Sequence, residues 1–276
     1  MNNLYLSTKD FSVSKEDFEL HYDSENDMLS TFPKPEGEGL DKYYASEDYI
    51  SHTSSKRTLF EKAYHFVRTI AINKKLQLIN SLQGKTGNLL DIGSGTGDFL
   101  AAAMNKGWKV TGAEPNLKAR EAAKGKGVNM FESTTLLPDH SYDIITMWHV
   151  LEHVPDPKFQ ILELKRLLKP NGHIIIAVPN FHSYDAKHYG KYWAAFDVPR
   201  HLWHFSRKSI ANLFAEQEFE VVNVLPMMFD AYYVSLLSEK YRTGKSNVLR
   251  AFLTGTKSNN SGRKTGEYSS HIYVIK

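Results

Sequence analysis

Between Gly87 and Asn180 the sequence alternates short, almost uninterrupted apolar runs with more polar segments. The runs LLDIG, WKVTGA, VNMF, DIITMW and IIIAVP have the length of strands, and most of the segments between them have helical spacing. Strands that are apolar on both faces and separated by helices indicate a parallel sheet covered on both sides. We therefore expect an α/β fold whose sheet runs through the centre of the chain.

The remaining segments are placed around this sheet. Apolar residues at helical spacing predict a long amphipathic helix over 55–80, and EVVNVLP and SSHIYVIK predict the last two strands. Residues 181–205 form an insertion, 227–256 form a helical insertion, and the polar Gly/Ser-rich stretch 255–270 reads as a mobile loop. Residues 1–54 form a separate appendage in which 9–33 predict a short hairpin, so the main domain covers 55–276.

Composition and charge limit the classes of function. The net charge is only +3, but residues 1–50 contain twelve Asp/Glu and four Lys, so the appendage is strongly acidic. No apolar run approaches the ~18 residues of a membrane span, and the N-terminus lacks the order of a signal peptide. We expect a cytoplasmic protein with no membrane span. The chain has no cysteine, so disulfides and thiolate metal sites are excluded.

The stretch MWHVLEHVPDP contains His149, Glu152 and His153 in the H-x-x-E-H spacing of one class of zinc peptidase. In a peptidase this motif lies inside a long helix, whereas here it directly follows a predicted strand and is interrupted by Pro155. The motif is therefore one turn at the carboxyl end of the fourth strand, where α/β sheets bind ligands. We expect no stoichiometric metal, and these three residues are the candidate ligands if one is bound.

The cofactor motif is LLDIGSGTGDFL, which follows the first predicted strand of the sheet. Glycines at 93, 95 and 97 allow close approach of the backbone to a ligand, but Asp98 occupies the position of the third glycine of a dinucleotide fingerprint. Glu114 ends the next strand at the distance where a carboxylate meets ribose hydroxyls. The motif thus predicts a ligand with a ribose and without a pyrophosphate, which disfavours a dehydrogenase.

Four motifs in order resemble those of the class I S-adenosylmethionine-dependent methyltransferases: LLDIGSGTGDFL, GAEPN, SYDIITMWHVLEHVPDP and LLKPNGHIIIAVPN. Within that superfamily, VLEHVPDP and VPN are most similar to the branch that includes the ubiquinone-biosynthesis O-methyltransferases. The resemblance implies a Rossmann-like, seven-stranded, mostly parallel sheet with helices on both faces and an antiparallel last strand. It also implies S-adenosyl-L-methionine as cofactor. The appendage resembles a small zinc module whose cysteines are missing.

The resemblance assigns a set of residues to the cofactor site. Asp91 lies near the ammonium group of the methionyl portion, Glu114 near the ribose, and the turn after the third strand near the adenine. The cofactor-binding residues expected on this basis are Asp91, Gly93, Ser94, Gly95, Gly97, Glu114, Pro115, Phe131, Glu132, Met147, Trp148 and His149.

The acceptor side is predicted from the insertion FHSYDAKHYGKYWAAFDVPRHLWHF, which is rich in aromatic residues and histidines. An aromatic lid suits a planar acceptor and keeps water from the sulfonium, although packing as a hydrophobic plug is the alternative. The lid residues expected to face the substrate are Tyr192, Trp193, Arg200, His201 and His204. A histidine can act as the base for a hydroxyl or phenol, and His149 and His201 are the candidates.

These patterns predict a methyltransferase that acts on a small, aromatic or planar molecule, with O-methylation favoured. An RNA-modifying methyltransferase is an alternative, but the fourth strand lacks the N/D-P-P-Y motif of amino-group enzymes and no basic stripe with aromatics is present, so no nucleic-acid partner is expected. A catalytically silent, cofactor-binding regulatory protein also stays open, because the glycine motif and Glu114 imply binding and not turnover.

Overall fold

The computed structural model describes residues 3–35, 42–43 and 59–276, with the backbone alone for 59–66. Its strands are β1 (Asn3–Lys9), β2 (Asp17–Asp23), β3 (Met28–Phe32), β4 (Asn88–Ile92), β5 (Lys109–Ala113), β6 (Asn129–Phe131), β7 (Tyr142–Trp148), β8 (Leu168–Pro179), β9 (Trp203–His204), β10 (Val221–Pro226) and β11 (Ser270–Ile275). Its α-helices are α1 (Leu59–Gln83), α2 (Asp98–Met104), α3 (Leu117–Lys124), α4 (Pro157–Leu167), α5 (Tyr184–Tyr189), α6 (Arg207–Ala215), α7 (Asp230–Thr243) and α8 (Val248–Thr265).

The seven-stranded sheet has the order β10-β11-β8-β7-β4-β5-β6 and is flanked by helices. Strand β4 pairs in parallel with β5 and with β7, and β5 pairs in parallel with β6. Leu89, Leu90, Ile144 and Ile145 have no exposed surface, as expected for parallel strands covered on both faces. The predicted sheet, including the insertion of the last strand between the fifth and sixth, is confirmed.

The chain divides into two compact units. Unit 1 comprises Met1–Ile50, Leu151–Lys158 and Ala177–Tyr273, and unit 2 comprises Ser51–Val150, Phe159–Ile176 and Val274–Lys276. The predicted boundary at 54/55 and the predicted helix start at 55 lie outside the described residues. None of the helices in the described parts of the chain is long and apolar enough to cross a lipid bilayer.

The acidic appendage is more regular than the predicted hairpin. Strands β1, β2 and β3 form an antiparallel sheet, and β9 from the 181–205 insertion pairs with β3 as its fourth strand. Phe18 and Leu20 on β2 and Leu29 on β3 are buried, while Asp17 and Glu19, which alternate with the two β2 residues, are exposed and half-buried respectively. This period-two pattern explains the strands, but the partner β9 has only two residues and leaves no periodic signal.

The prediction of a mobile loop over 255–270 is wrong. Helix α8 continues to Thr265, where Gly266 in the left-handed conformation ends it. Gly255 and Gly262 lie on its buried face, and a Cβ at Gly255 would come within 2.6 Å of the Tyr232 ring. The Gly/Ser-rich composition therefore reflects close packing on α7 and not an irregular backbone.

Arg200 connects the appendage to the 181–205 insertion within unit 1. Its guanidinium donates to both carboxylate oxygens of Asp197, at 3.0 and 2.7 Å, and to Asp10 at 3.0 and 3.4 Å. Asp10 also accepts backbone N–H bonds from Val13 and Ser14. Arg200 and Asp10 are both almost completely buried, so the charges are paired in a site from which water is excluded.

Burial raises the pKa of Asp10, but the hydrogen bonds from Arg200, Ser14 and Val13 outweigh it and lower this pKa well below its usual range. The pKa of Asp197 is lowered in the same way, against the effect of its burial, by Arg200. Both depressed values mean that the ionised forms stabilise the folded state. That contribution is fully present above the unfolded pKa of about 3.9 and is lost as the pH falls below it.

We expect Arg200→Met to lower the free energy of unfolding by about 3–5 kcal/mol, because it leaves the buried Asp10 carboxylate without its cation. Urea unfolding followed by circular dichroism at pH 7 measures this loss. The double variant Asp10→Asn, Arg200→Met should recover part of it, since the fully buried Asp10 charge is then removed and the remaining Asp197 side chain is 28% exposed to water. An unchanged urea midpoint for Arg200→Met would show that the ion pair does not stabilise unit 1.

Candidate active site

The loop after β4 is shaped by three glycines in the left-handed conformation, with φ of 68° at Gly93, 52° at Gly95 and 72° at Gly97. A Cβ at Gly93 would lie 2.4 Å from Val150, and one at Gly97 would lie 2.7 Å from Ala123, so these two glycines allow close packing within unit 2. Gly95 has no atom within 4 Å of its Cβ position. The middle glycine therefore faces open space that a ligand can occupy.

Glu114 follows β5 and is held by two backbone N–H groups. Gly95 donates to its Oε2 and Asn116 donates to its Oε1, each at 2.9 Å. A carboxylate has about four acceptor positions, so both oxygens retain acceptor capacity for a pair of ribose hydroxyls. The same bond that orients Glu114 also fixes the glycine loop, which places the predicted ribose ligand beside the predicted backbone cradle.

Asp91 is buried at the end of β4 and accepts a 2.6 Å hydrogen bond from the Thr146 hydroxyl. Burial raises the pKa of Asp91 to about 7, against the opposing effects of Thr146 and of the Lys75 ammonium. A carboxyl group that titrates near neutrality can bind a cofactor ammonium as a carboxylate or remain protonated without it. The sequence analysis did not find Thr146 or Lys75, since neither belongs to a recognisable spacing.

The end of β7 presents Trp148 and His149. The Lys75 ammonium lies 4.1 Å from the Trp148 ring centroid, and the Phe99 ring meets Trp148 edge-on at 5.8 Å. His149 has φ of 58°, an uncommon conformation for a residue other than glycine. Met147, the residue before them, has no exposed surface and is part of the core.

The turns after β5 and β6 carry the remaining predicted cofactor residues. Arg120 donates to the carbonyl oxygens of Glu114 and Pro115, at 2.7 and 2.6 Å, and pairs with Glu132 at 3.4 Å. The Glu114 N–H in turn donates to the Phe131 carbonyl at 3.0 Å. Arg120, which the sequence analysis also missed, therefore ties the predicted ribose and adenine turns together. Ser94, in the glycine loop, is half-buried.

All twelve predicted cofactor residues thus lie in unit 2, at the carboxyl ends of β4 to β7 or in the loops that follow. The carboxyl ends of parallel strands meet at one edge of a sheet, which is the ligand edge of α/β folds.

The five predicted lid residues lie in unit 1, where most of them are packed. Trp193 is buried and donates from Nε1 to Asp185 at 2.7 Å. Arg200 forms the ion pairs described above, and His204 is buried beside the Thr31 hydroxyl at 3.2 Å. Tyr192 is half-buried, with its ring 5.3 Å from that of Phe11. These contacts give the insertion a packing role in unit 1.

Glu152, His153 and His201 come together within unit 1. Their ligand atoms lie within 4.8 Å of one another, and they are the one group of three His, Asp or Glu side chains with metal-site spacing that the described residues contain. The structure thus joins His201 to two of the three candidate ligands named from the H-x-x-E-H motif. The sequence offers no signal for this, because His201 lies far along the chain.

The histidines of this group have defined tautomers. His153 Nδ1 lies 3.0 Å from the Arg200 carbonyl and His201 Nδ1 lies 2.9 Å from the Ala195 carbonyl, so both Nδ1 atoms donate. Burial, assisted by the nearby His201, lowers the pKa of His153 to about 4. The neutral imidazole of His153 therefore carries its lone pair on Nε2. The group is chemically able to accept a proton or to bind a cation.

A family model described as a methyltransferase domain matches residues 63–224, which is more than half of the chain. The chain belongs to the class I S-adenosylmethionine-dependent methyltransferases. The family resemblance inferred from the four motifs is confirmed.

Curated relatives of this methyltransferase share part of its length. The ubiquinone biosynthesis O-methyltransferase of Vibrio cholerae is 31% identical over 129 residues, which are 43% of this chain and 52% of that protein. The protein of the same name from Serratia proteamaculans is 33% identical over 129 residues, with coverages of 43% and 53%. The chain therefore spans about half the length of these relatives.

Solved structures agree on the fold. A geranyl diphosphate C-methyltransferase from Streptomyces coelicolor, crystallised with Mg²⁺, geranyl diphosphate and S-adenosyl-L-homocysteine, has a TM-score of 0.55 at 15% identity, covering 82% of this chain and 86% of that one. An S-adenosylmethionine-dependent methyltransferase from Archaeoglobus fulgidus has a TM-score of 0.53 at 18% identity, with coverages of 80% and 100%.

We expect Gly95→Val to weaken binding of S-adenosylhomocysteine by about 1.5–3 kcal/mol, because the side chain fills the open space beside Glu114. Glu114→Ala should have an effect of the same size through loss of charge-assisted hydrogen bonds. Calorimetric titration measures both. Gly84→Val is the matched control, since Gly84 is also left-handed with no atom within 4 Å of its Cβ position but lies outside the loop. Tighter binding of NAD than of S-adenosylhomocysteine would contradict the assignment.

Asp91 should make cofactor affinity depend on pH. Only the ionised carboxylate attracts the cofactor ammonium, and the pKa of Asp91 is about 7 in the free protein. Binding at neutral pH should therefore release protons, and the dissociation constant should rise by up to about tenfold per pH unit below 7. Titration calorimetry in buffers of different ionisation enthalpy detects the released protons. Asp91→Asn should bind more weakly at pH 8 and show a flat profile; a pH-dependent Asp91→Asn would rule out this origin.

Proposed function

We propose that the chain transfers the methyl group of S-adenosyl-L-methionine to a small, planar or aromatic acceptor, with an oxygen atom as the favoured nucleophile. The observation that carries this proposal is the mutual positioning of the glycine loop and Glu114 through the Gly95 N–H bond. This arrangement suits a ribose-containing ligand, and the family supplies the reaction class. The twelve residues of the cofactor set in unit 2 are proposed to bind S-adenosyl-L-methionine. The protein is proposed to act in the cytoplasm.

The preference for oxygen is supported by two observations. The curated relatives are named ubiquinone biosynthesis O-methyltransferases, although the chain spans about half of their length. The chain also has histidines suited to remove a proton from a hydroxyl group. In the proposed step the acceptor oxygen attacks the methyl carbon, the carbon–sulfur bond of the sulfonium breaks, and the hydroxyl proton passes to an imidazole.

We propose His201 as the base, with His149 as the second candidate. The Nδ1–H of His201 donates to the Ala195 carbonyl, so a neutral His201 has its lone pair on Nε2 and can accept a proton there. His149 is supported by its position after β7 in the cofactor unit and by its left-handed backbone, a conformation that is often retained for a functional reason.

The 181–205 segment is proposed to form the side of the active site that binds the methyl acceptor. Some of its residues would hold the segment in place, and others would contact the acceptor. Burial of Trp193, Arg200 and His204 supports a role in fixing the segment, and these three would shape the acceptor site without contacting its contents. Tyr192 retains exposed surface, which is compatible with direct contact to a planar molecule.

The function can be tested by incubating the protein and labelled S-adenosylmethionine with phenols, quinols, sugars and tRNA. We expect methyl transfer to a phenol or quinol. Transfer to tRNA alone would favour the RNA-modifying alternative, and tight cofactor binding without any transfer would favour a silent regulatory protein.

On the acceptor so identified, we expect His201→Asn to lower turnover at least tenfold while cofactor affinity stays within about threefold. Asparagine keeps a donor near the Nδ1 position and removes Nε2, so the Ala195 bond can persist. Steady-state kinetics measures the turnover and calorimetric titration measures the cofactor affinity. His188→Gln, which replaces an exposed histidine of the same segment, is the control and should retain turnover. Full activity of His201→Asn combined with loss in His149→Asn would transfer the role to His149.

A further inference from the structure

Helix α8 (Val248–Thr265) has its small and polar residues inside and its large apolar residues outside. The buried face consists of Ala251, Thr254, Gly255, Ser258, Asn259 and Gly262. A helix on the surface of a globular protein normally has the opposite arrangement, with the large apolar side chains facing the core. The inverted pattern calls for a physical explanation.

The inner face is fixed in place by close contacts within unit 1. Gly255 packs so tightly on α7 that a Cβ would lie 2.6 Å from the Tyr232 ring and 3.0 Å from the Ala231 carbonyl. Ser258 donates to Asp185 at 2.6 Å, and Asn259 donates to the Met228 carbonyl at 3.0 Å. Rotation of α8 that buried its outer residues would break these hydrogen bonds and create a steric clash. The outer face is therefore held toward the exterior of unit 1.

The outer face of the first two turns is a patch of four apolar side chains, which we call the α8 patch. Its members are Val248, Leu249, Phe252 and Leu253, which are 67%, 70%, 58% and 50% exposed. Counted from Val248, the other three follow at i+1, i+4 and i+5, which places all four on one side of the helix. A contiguous group of this kind differs from isolated exposed apolar residues, which are common on protein surfaces, and indicates an interaction site.

The charged residues of the segment that carries the patch are all positive. Between residues 243 and 266 the sequence has five Lys or Arg and no Asp or Glu. Lys245 and Arg250 flank the patch, and Lys257, Arg263 and Lys264 extend along the exposed side of the helix. Within the described part of the chain, no carboxylate forms an ion pair with any of these five cations. An apolar patch with an uncompensated positive border complements a surface that is both apolar and anionic.

We propose that the α8 patch docks unit 1 on an anionic lipid bilayer. In this arrangement the helix lies in the plane of the interface, its four apolar side chains enter the boundary between headgroups and acyl chains, and the five cations face the lipid phosphates. The docking is peripheral, because no helix in the described residues can span a bilayer.

Two other partners fit the patch less well. A second copy of the chain would bring two sets of five positive charges together without any carboxylate between them, which opposes a symmetric interface. A nucleic acid would complement the charge but not the patch, since Val248, Leu249 and Leu253 are aliphatic and cannot stack on bases. An anionic bilayer satisfies both parts of the surface at once.

The absence of cysteine from the chain provides a direct test. Leu249→Cys labelled with an environment-sensitive fluorophore carries the probe on the patch alone, and Leu136→Cys, at a site that is 84% exposed in unit 2, is the labelled control. Vesicles of equal parts phosphatidylglycerol and phosphatidylcholine should shift the emission of the first protein to the blue and leave the second unchanged. About 1 M salt, where the Debye length is ~3 Å, should reverse the shift.

Unlabelled variants separate the apolar and ionic parts of the surface. Phe252→Ser should lower the fraction that sediments with the anionic vesicles at least tenfold, and Arg250→Glu with Lys257→Glu should do the same. Phe159→Ser, which replaces a phenylalanine of similar exposure on α4, is the matched control and should sediment like the wild type. Because all these side chains are exposed, circular dichroism should confirm that every variant is folded.

Several outcomes would overturn the proposal. If the protein bound equally well to anionic vesicles and to vesicles of pure phosphatidylcholine, the positive charges would have no part in binding. If it bound to neither, a lipid bilayer would not be the partner. A blue shift that appears without vesicles and grows with protein concentration, together with a doubled mass in light scattering, would identify a second copy as the occupant. A DNA oligonucleotide could also release the protein from anionic vesicles. If that oligonucleotide alone gave the same blue shift of the Leu249→Cys fluorophore, the surface would be assigned to nucleic acid.

Discussion

The guanidinium of Arg200 lies buried between Asp10 and Asp197, and the organisation of unit 1 depends on this contact. It joins residues that are separated by most of the chain, and the pairing of β3 with β9 brings the same two segments together a second time. A buried cation with two carboxylates tolerates few alternative arrangements, because any displacement leaves a charge without a partner. The contact therefore specifies how the appendage and the insertion pack, in addition to contributing stability.

In unit 2, short polar contacts at the ends of the parallel strands fix the positions of the neighbouring loops. The Gly95 N–H fixes Glu114, Thr146 fixes Asp91, and Arg120 joins the turns after β5 and β6. Each of these contacts positions a group before any ligand arrives, so the cost of ordering the site is met during folding. Burial raises the pKa of Asp91 against the Thr146 hydrogen bond and the charge of Lys75, which leaves this carboxyl near its point of titration at neutral pH.

The sequence predicts the parts of this molecule that depend on local patterns. Apolar strands, the glycine loop and Glu114 follow one another at fixed spacing, so the sheet could be predicted directly, and the proposed cofactor residues lie at the carboxyl ends of its strands. The proximity of His201 to Glu152 and His153 could not, because it is set by tertiary packing between distant segments. Strand β9 was missed because two residues have no periodicity. The sequence predicts a loop for the part of helix α8 that begins at Gly255, because Gly255 and Gly262 resemble linker residues, although the missing side chains leave room for the Tyr232 and Tyr268 rings.

The Asp10 turn has a further consequence. Its carboxylate accepts N–H bonds from Ser12, Val13 and Ser14, and the Arg200 guanidinium supplies the compensating positive charge. A side chain of the same polypeptide thus supplies the positive charge, and no cysteine is needed. The contact between the appendage and the 181–205 insertion therefore forms from ionised side chains alone, and acid is the condition that weakens it, because protonation of Asp10 removes one partner.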